Sequence, residues 1–399
     1  MLRKCAARLL VALIALCAWP ALGWAAAPQQ CVAGDWPLWQ QFARHFIEPD
    51  GRVVDYSVPE MHSTSEGQSY GMFFALVAND RPAFDRMWSW SIANLMGSDV
   101  TSRLPAWRWG RLPDGSWGEL DPNAASDADL WFAYALLEAA RLWREPRYKN
   151  DARALLKRVR AEEVVELPGL GPMLLPGPIG FALENQVWRL NPSYLPIPVL
   201  RRLALHDPAG PWNQLAENTA HMLAQVSPHG LVADWVAYQG LSPRNGHFVI
   251  DPVKGDTGSY DAIRVYLWAG MTARSDALAE PVMRAVGGMA AITAGIGAPP
   301  ELVSSATGIV SGRGNIGFAA ALLPYLPRAG QAGLAAEFHA QVQARLEKDA
   351  APGVRASTNY YEYMLSLFGL GFADGKYRFQ KTGALQVSWE NACRSGTKR

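Results

Sequence analysis

The chain has 399 residues, 49% hydrophobic and 18% charged, with 37 basic and 36 acidic side chains giving a formal net charge of +1. This composition excludes a disordered or fibrous protein. The balanced charge, with no long run of Lys and Arg, argues against nucleic acid as a partner. The length allows two or three average domains or one large core. The outlier is aromatic: 16 Trp and 13 Tyr are more than a core is expected to need.

Residues 1–25 read as a secretory signal. Arg3, Lys4 and Arg8 form a positive start, Leu9 to Trp19 an apolar run, and Gly23-Trp24-Ala25-Ala26-Ala27 a small-residue cleavage region. Cleavage is expected after Ala25, with Ala27 as the alternative. The run is too short to span a bilayer, and Leu16 before Cys17 and Gln30 before Cys31 argue against lipid attachment. Losing Arg3, Lys4 and Arg8 takes the charge from +1 to −2. The expected product, residues 26–399, is an exported soluble protein. Cys5 and Cys17 leave with the signal. Cys31 and Cys393 remain at the two ends, where an oxidising compartment suggests a disulfide, two free thiols being the alternative. No Cys-x-x-Cys or His-x-x-x-His spacing exists, so no metal site is expected.

Downstream, apolar residues recur at helical spacing over 68–78, 83–96, 128–143, 150–163, 213–226, 260–271, 280–294, 315–326, 331–348 and 359–370. Gly- and Pro-rich stretches at 110–123, 167–180, 189–198, 228–258 and 296–313 read as loops. Strand patterns are scarce: 230–238 and 247–250 suggest a short hairpin, and 377–387 a further strand. No linker or repeat divides the chain, so the expectation is one all-α domain of helical hairpins whose long loops carry function.

Three acidic clusters stand at predicted helix starts. In the first, Ser63 and Glu66 have the spacing of a capping box, yet Gly67 and Gly71 are poor helix residues that admit close approach. The second is Ser126-Asp127-Ala128-Asp129: Ser126 suits an N-cap, and both acids suit the positive end of the helix dipole. Capping does not explain two acids beside Trp131 and downstream of Trp107, Trp109 and Trp117. The third is Ser259-Tyr260-Asp261-Ala262-Ile263-Arg264, where Asp261 and Arg264 are also spaced as a surface ion pair. Carboxylates with many aromatics, and no cofactor or phosphate motif, suit glycoside hydrolysis. That reaction needs one protonated acid and one carboxylate, and indole faces stack on sugar rings. The seven His show no pairing with a Gly-x-Ser-x-Gly elbow, and Gly312-Arg313-Gly314-Asn315 lacks the rest of a phosphate-binding loop.

At these residues the chain resembles glycoside hydrolase family 8. The likeness rests on Thr64-Ser65-Glu66-Gly67-Gln68-Ser69-Tyr70-Gly71-Met72, Ala125-Ser126-Asp127-Ala128-Asp129, Asn191-Pro192-Ser193-Tyr194 and Ser259-Tyr260-Asp261-Ala262-Ile263-Arg264-Val265-Tyr266. It extends from Trp36 to Phe379 and is greatest to periplasmic members that accompany bacterial cellulose synthase. The resemblance implies an (α/α)6 barrel over residues 26–399, with an open cleft, that hydrolyses β-1,4-glucan with inversion and without a cofactor. Carried over by position, Glu66 would be the general acid, Asp261 the general base and Asp127 the residue holding the distorted sugar. Tyr194 would sit near the water, Arg264 within the site, and Trp107 against a sugar; Trp109, Trp188, Tyr260 and Tyr361 are weaker substrate-binding matches. It also implies the periplasm and contact with a cellulose synthase or export complex, and the near-neutral charge permits a monomer. The alternatives are the same fold acting on xylan, mixed-linkage glucan or chitosan, and a binding factor that guides a polymer without cutting it.

Overall fold

In the computed structural model, which describes residues 36–350 and 357–390, thirteen α-helices follow one another. They are α1 (Pro37–Phe46), α2 (Ser65–Val77), α3 (Arg81–Leu95), α4 (Ser126–Leu142), α5 (Pro146–Glu162), α6 (Ile197–His206), α7 (Trp212–Val226), α8 (Ile263–Met271), α9 (Ala279–Ala285), α10 (Gly288–Ile296), α11 (Ile316–Ala321), α12 (Ala332–Lys348) and α13 (Tyr360–Ala373). In α2, α4, α8 and α13 nearly every side chain is buried. A helix apolar on all sides belongs inside a larger assembly. By contrast α12 buries a single stripe, Ala335, Phe338, Val342 and Leu346, the pattern of a helix with one face in water.

The contacts arrange these helices in two rings. α2 packs on α4, α4 on α6, α6 on α8, α8 on α11 and α11 on α13. Phe74 of α2 meets Phe368 of α13 with ring centroids 4.6 Å apart, closing the circle. Outside lie α3 against α2, α5 against α4, α7 against α6, α9 against α8, α12 against α11 and α1 against α13. This is the expected (α/α)6 barrel. All described residues belong to one compact unit. Among them no helix is long and apolar enough to cross a membrane. The expected export signal, Cys31 and Cys393 lie outside the described residues.

The barrel axis is filled by rings. Trp131 of α4 touches Phe73 of α2, Trp268 of α8 and Phe368 of α13 at centroid distances of 5.0–5.4 Å. This corrects the expectation that the aromatic excess exceeds what a core needs. Eight tryptophans are buried: Trp36, Trp39, Trp88, Trp90, Trp131, Trp212, Trp268 and Trp389. A ring of six helices leaves an axis that only large side chains fill to native density.

Several elements depart from the periodicity reading. α1 and α6 were not anticipated: α1 begins directly behind Trp36, and α6 is crowded by Pro192, Pro196 and Pro198. The expected helix 280–294 breaks into α9 and α10, because Gly288 presses on the His229 carbonyl and a Cβ there would collide with it. The Gly- and Pro-rich stretches hold short antiparallel strands in five small sheets. One hairpin is Arg108–Arg111 with Trp117–Asp121. The expected 230–238 hairpin forms further on, as Val236–Ser242 with Asn245–Ile250, and 377–387 is itself a hairpin. Most of these strands have two to four residues, too few for alternation to register.

Inner helices approach closely where glycine allows it. A Cβ on Gly369 of α13 would overlap the Ala320 carbonyl of α11. Gly369→Ala is expected to destabilise the protein by at least ~2 kcal/mol, since backbone rather than a pliable side chain must move. Chemical denaturation of the purified variant measures this.

Candidate active site

The predicted acids converge at one end of the barrel because each stands where an inner helix begins. Glu66 is the second residue of α2, Asp127 the second of α4 and Tyr361 the second of α13; Asp261 lies in the turn before α8, and Tyr194 ends the short 3-10 turn before α6. The first turns of these helices present free N–H groups and the positive ends of their dipoles to this end.

The caps differ from the expected ones, and the difference frees the acids. At α2 the capping residue is Thr64, whose Oγ1 accepts the Gly67 N–H at 3.0 Å, so Glu66 is not tied into a capping box with Ser63. At α4 the N-cap is Ala125, and Ser126 is already helical. At α8 the serine is not the cap either: Ser259 Oγ donates to the Glu301 carbonyl. The turn is organised by Asp234, whose Oδ1 accepts the N–H groups of Ser259 (2.8 Å), Asp261 (3.1 Å) and Ala262 (2.7 Å).

Trp107 reaches Glu66 through strand pairing. Ser63 and Thr64 pair with Trp109 and Arg108, the Ser65 N–H donates to the Trp107 carbonyl at 2.9 Å, and the Trp107 indole N–H donates to Glu66 Oε1 at 3.1 Å. Burial pushes the Glu66 carboxyl up to about 8, nearby Asp127 adds to the rise, and Arg264 and the Trp107 bond oppose it. Glu66 therefore keeps its proton at neutral pH.

Asp127 is buried and accepts bonds from Tyr70 OH (3.2 Å) and the Ala128 N–H (2.8 Å). Burial raises it to about 6; Arg264, whose Nη2 is 3.7 Å from Oδ2, pulls the other way, and Asp261 adds to the rise. Both oxygens of Asp261 accept donors: Asn191 Nδ2 at 3.1 Å and Arg264 Nη2 at 2.9 Å. Arg264 is the hub, donating also to Ser193 Oγ (2.9 Å) and Tyr361 OH (3.3 Å). Burial works against its charge, but Tyr361, Asp261, Tyr70 and Asp127 outweigh that and keep it a cation. Tyr361 OH in turn donates to the Tyr260 carbonyl. Burial holds the Tyr194 phenol well above its ordinary range, so it stays neutral; its ring lies 5.8 Å from the Arg264 guanidinium.

The structure thus brings together Glu66, Asp127, Asp261, Arg264, Tyr194, Tyr361 and Trp107, with Tyr260 half exposed at the rim. Among the described residues, Trp109 and Trp188 make no hydrogen bond or ring contact with these groups. The Trp109 ring is stacked on Trp117 at 5.5 Å, edge-on to Trp90 and covered by Arg52, so its faces are occupied by protein. Trp188 sits on a strand paired with Val236–Ser242. Sequence reasoning missed four positioning residues. Tyr70, Asn191 and Ser193 stood inside recognised motifs without a role. Asp234 stood in none, because its work is to hold backbone N–H groups and has no spacing signature. A cavity of about 680 Å³ lies at the other end of the barrel, beside Arg274, Arg328 and Arg378; none of the site carboxylates borders it. Among the described residues, no cluster of three or more His, Cys, Asp or Glu is arranged to hold a metal.

The model of the family described as glycosyl hydrolases family 8 matches residues 11–375. The chain belongs to that family. An endoglucanase of Pseudomonas fluorescens (strain SBW25) is 50% identical over 368 residues, covering 90% of this chain and 92% of that protein. An endoglucanase of Escherichia coli (strain K12) is 45% identical over 359 residues, covering 90% and 92%. Among solved structures, an endo-1,4-D-glucanase from Vibrio fischeri ES114 superposes with a TM-score of 0.83 at 39% identity, covering 90% of this chain and all of that one. Family 8 membership makes the carboxylate cluster the place to look for glycosidic chemistry.

Proposed function

We propose that this protein is an endo-acting β-1,4-glucanase that cleaves cellulose chains with inversion, and that it works in the periplasm as a monomer beside a cellulose synthase or export complex. Glu66 donates its proton to the leaving glycosidic oxygen. Asp261, held through both oxygens, takes a proton from the water that attacks the opposite face of the sugar. Asp127 binds the distorted ring, the neutral Tyr194 phenol orients the water, and Trp107 stacks on the substrate. Tyr260 and Tyr361 extend the binding surface at the rim. The observation that carries this reading is electrostatic: one end of the barrel holds a carboxyl that keeps its proton to about 8 and a second carboxylate clamped by Arg264 and Asn191. A buried carboxyl that keeps its proton, opposite a carboxylate whose two oxygens are both held by donors, has the form of an acid and base pair. The endoglucanase relatives support the substrate class, and the resemblance in the motifs supports the link to cellulose export.

The test is viscosity loss and reducing-end release on carboxymethyl cellulose, with the product anomer followed by NMR. The expected result is a fast viscosity drop with few new ends, and the α-anomer appearing first. A β-anomer would overturn inversion. Silence on cellulose from folded protein, with turnover of xylan, mixed-linkage glucan or chitosan, would overturn the substrate, and silence on all of them would favour the binding factor.

A further inference from the structure

Behind the site lies a second acidic pair that the chemistry above does not use. Asp129 stands in the first turn of α4, two residues after Asp127, and Glu163 follows the last turn of α5. A separation of two residues on a helix points side chains to opposite sides, so Asp129 turns from the cleft toward α5 while Asp127 faces it. Both side chains are fully buried, at 0% exposure. Among the described residues no backbone N–H, hydroxyl, amide or cation reaches any of their four oxygens. Their hydrogen-bonding contact is with each other. Beyond that contact, the groups acting on them are acidic: Asp127 of α4 and Glu162 of α5 on both, and Glu66 of α2 on Asp129.

Two bare carboxylates cannot stand in that position. Each ionised group would be buried without a partner, at a cost of several kcal/mol, and with a like charge in contact. Two carboxylates also cannot hydrogen-bond to one another unless one carries a proton. We propose that Asp129 and Glu163 share a proton in the folded protein at neutral pH, and that this carboxyl–carboxylate bond is a positioning device that fixes the first turn of α4, from which Asp127 enters the cleft. The main chain agrees with such a joint: the Ser126 N–H donates to the Pro176 carbonyl, and the Leu175 N–H to the Glu163 carbonyl. The end of α5, Leu175 and Pro176 just beyond the strand Gly171–Leu174, and the start of α4 are thereby tied together. Burial raises both carboxyls well above their ordinary range; the contact raises Glu163 further and opposes the rise at Asp129, the pattern of an acceptor facing a proton donor. The positioning role rests on the assignment of Asp127 to the active site; the shared proton does not.

The unfolded chain has no reason to keep this proton at neutral pH. A proton bound only in the folded state makes stability fall as pH rises, the unfolding constant growing about tenfold per pH unit. The experiment is denaturant unfolding at pH 6.5, 7.0 and 7.5 of the whole protein, with Asp129→Asn, Glu163→Gln, the double variant and Glu66→Gln. The double variant keeps an amide–amide bond and has no proton to lose, so its unfolding constant is expected to rise about tenfold less per pH unit than that of the wild type. The same pH dependence in wild type and double variant would overturn the proposal. Should the double variant fail to fold, Glu163→Gln carries the same comparison. Glu66→Gln reports the catalytic acid's own proton separately, so failure of that assignment and failure of this one are told apart. For positioning, Asp129→Ala is expected to lose about tenfold in kcat while Asp129→Asn stays close to wild type. The alkaline limb of kcat/KM should move to lower pH in the double variant as negative charge near Glu66 is removed. An Asp129→Ala enzyme with wild-type kcat would overturn the positioning role.

Discussion

Replacing Glu66 by Gln is expected to abolish hydrolysis and to make the protein more stable in mild alkali. The amide matches the carboxyl in shape and still accepts the Trp107 N–H, but it has no acid proton to give. General acid catalysis contributes roughly 10²–10⁴-fold, so activity on carboxymethyl cellulose should fall by at least about 10². The stability effect follows from the sign of the shift. The folded-state pKa, about 8, lies above the ordinary value for glutamic acid, so the site is least costly below about pH 4.5 and progressively destabilises the fold as pH rises toward 8. The variant does not titrate there. It should exceed wild type by roughly 1–3 kcal/mol near pH 9 and gain less at pH 5, as read from denaturant unfolding at both pH values. Equal activity in folded Glu66→Gln would remove Glu66 as the acid. In the wild type, the same proton predicts that kcat/KM falls off above about pH 8.

Arg264→Met should be the more damaging change to the fold. The guanidinium is buried and donates to Ser193, Tyr361 and Asp261 while standing 3.7 Å from Asp127. Removing one partner from a buried charge cluster typically costs about 3–5 kcal/mol, because the remaining charges lose their compensation. Asp127, which Arg264 pulls down, should then hold its proton to higher pH, and Asp261 should lose one of its two donors. The expected outcome is a loss of at least about 10² in kcat with a lowered Tm. Arg264→Lys should recover part of the stability and little of the activity, since an ammonium cannot reproduce the planar fork. Calorimetry and steady-state kinetics on both variants test this; unchanged thermal stability in Arg264→Met would contradict the hub.

The chain order of helices was legible in the sequence where their burial is extreme. α2, α4, α8 and α13 are apolar on nearly every side, and α12 carries a regular stripe, so periodicity finds them. α6 was lost among prolines that in fact bound it, Pro192 and Pro196 before its first residue and Pro198 in its first turn. Glu66, Asp127 and Asp261 could be found because acids at the mouths of inner helices sit beside small residues and aromatics in patterns that a surface cap does not need. Asp234 could not be found, since its partners are main-chain N–H groups 25 to 28 residues away. The aromatic excess misled in one respect: it was read as substrate-facing, whereas half of the tryptophans are buried, Trp131 and Trp268 at the barrel axis and others between the inner and outer helices. Distinguishing Trp107, which faces Glu66, from Trp109, sealed between Trp117, Trp90 and Arg52, requires the strand register and its irregularity between Arg108 and Trp109.

The ring closes between its first and last inner helices, through Phe73 and Phe74 on α2 and Phe368 on α13, and α13 also brings Tyr361 to Arg264. Contacts of such sequence separation form late and slowly. A growing chain that has not yet delivered residues 360–373 holds Glu66, Asp127 and Asp261 without the wall that encloses them. Hydrolytic competence is therefore withheld until residues 360–373 are in place, and a cut before Tyr360 should silence the enzyme as thoroughly as the loss of a catalytic acid.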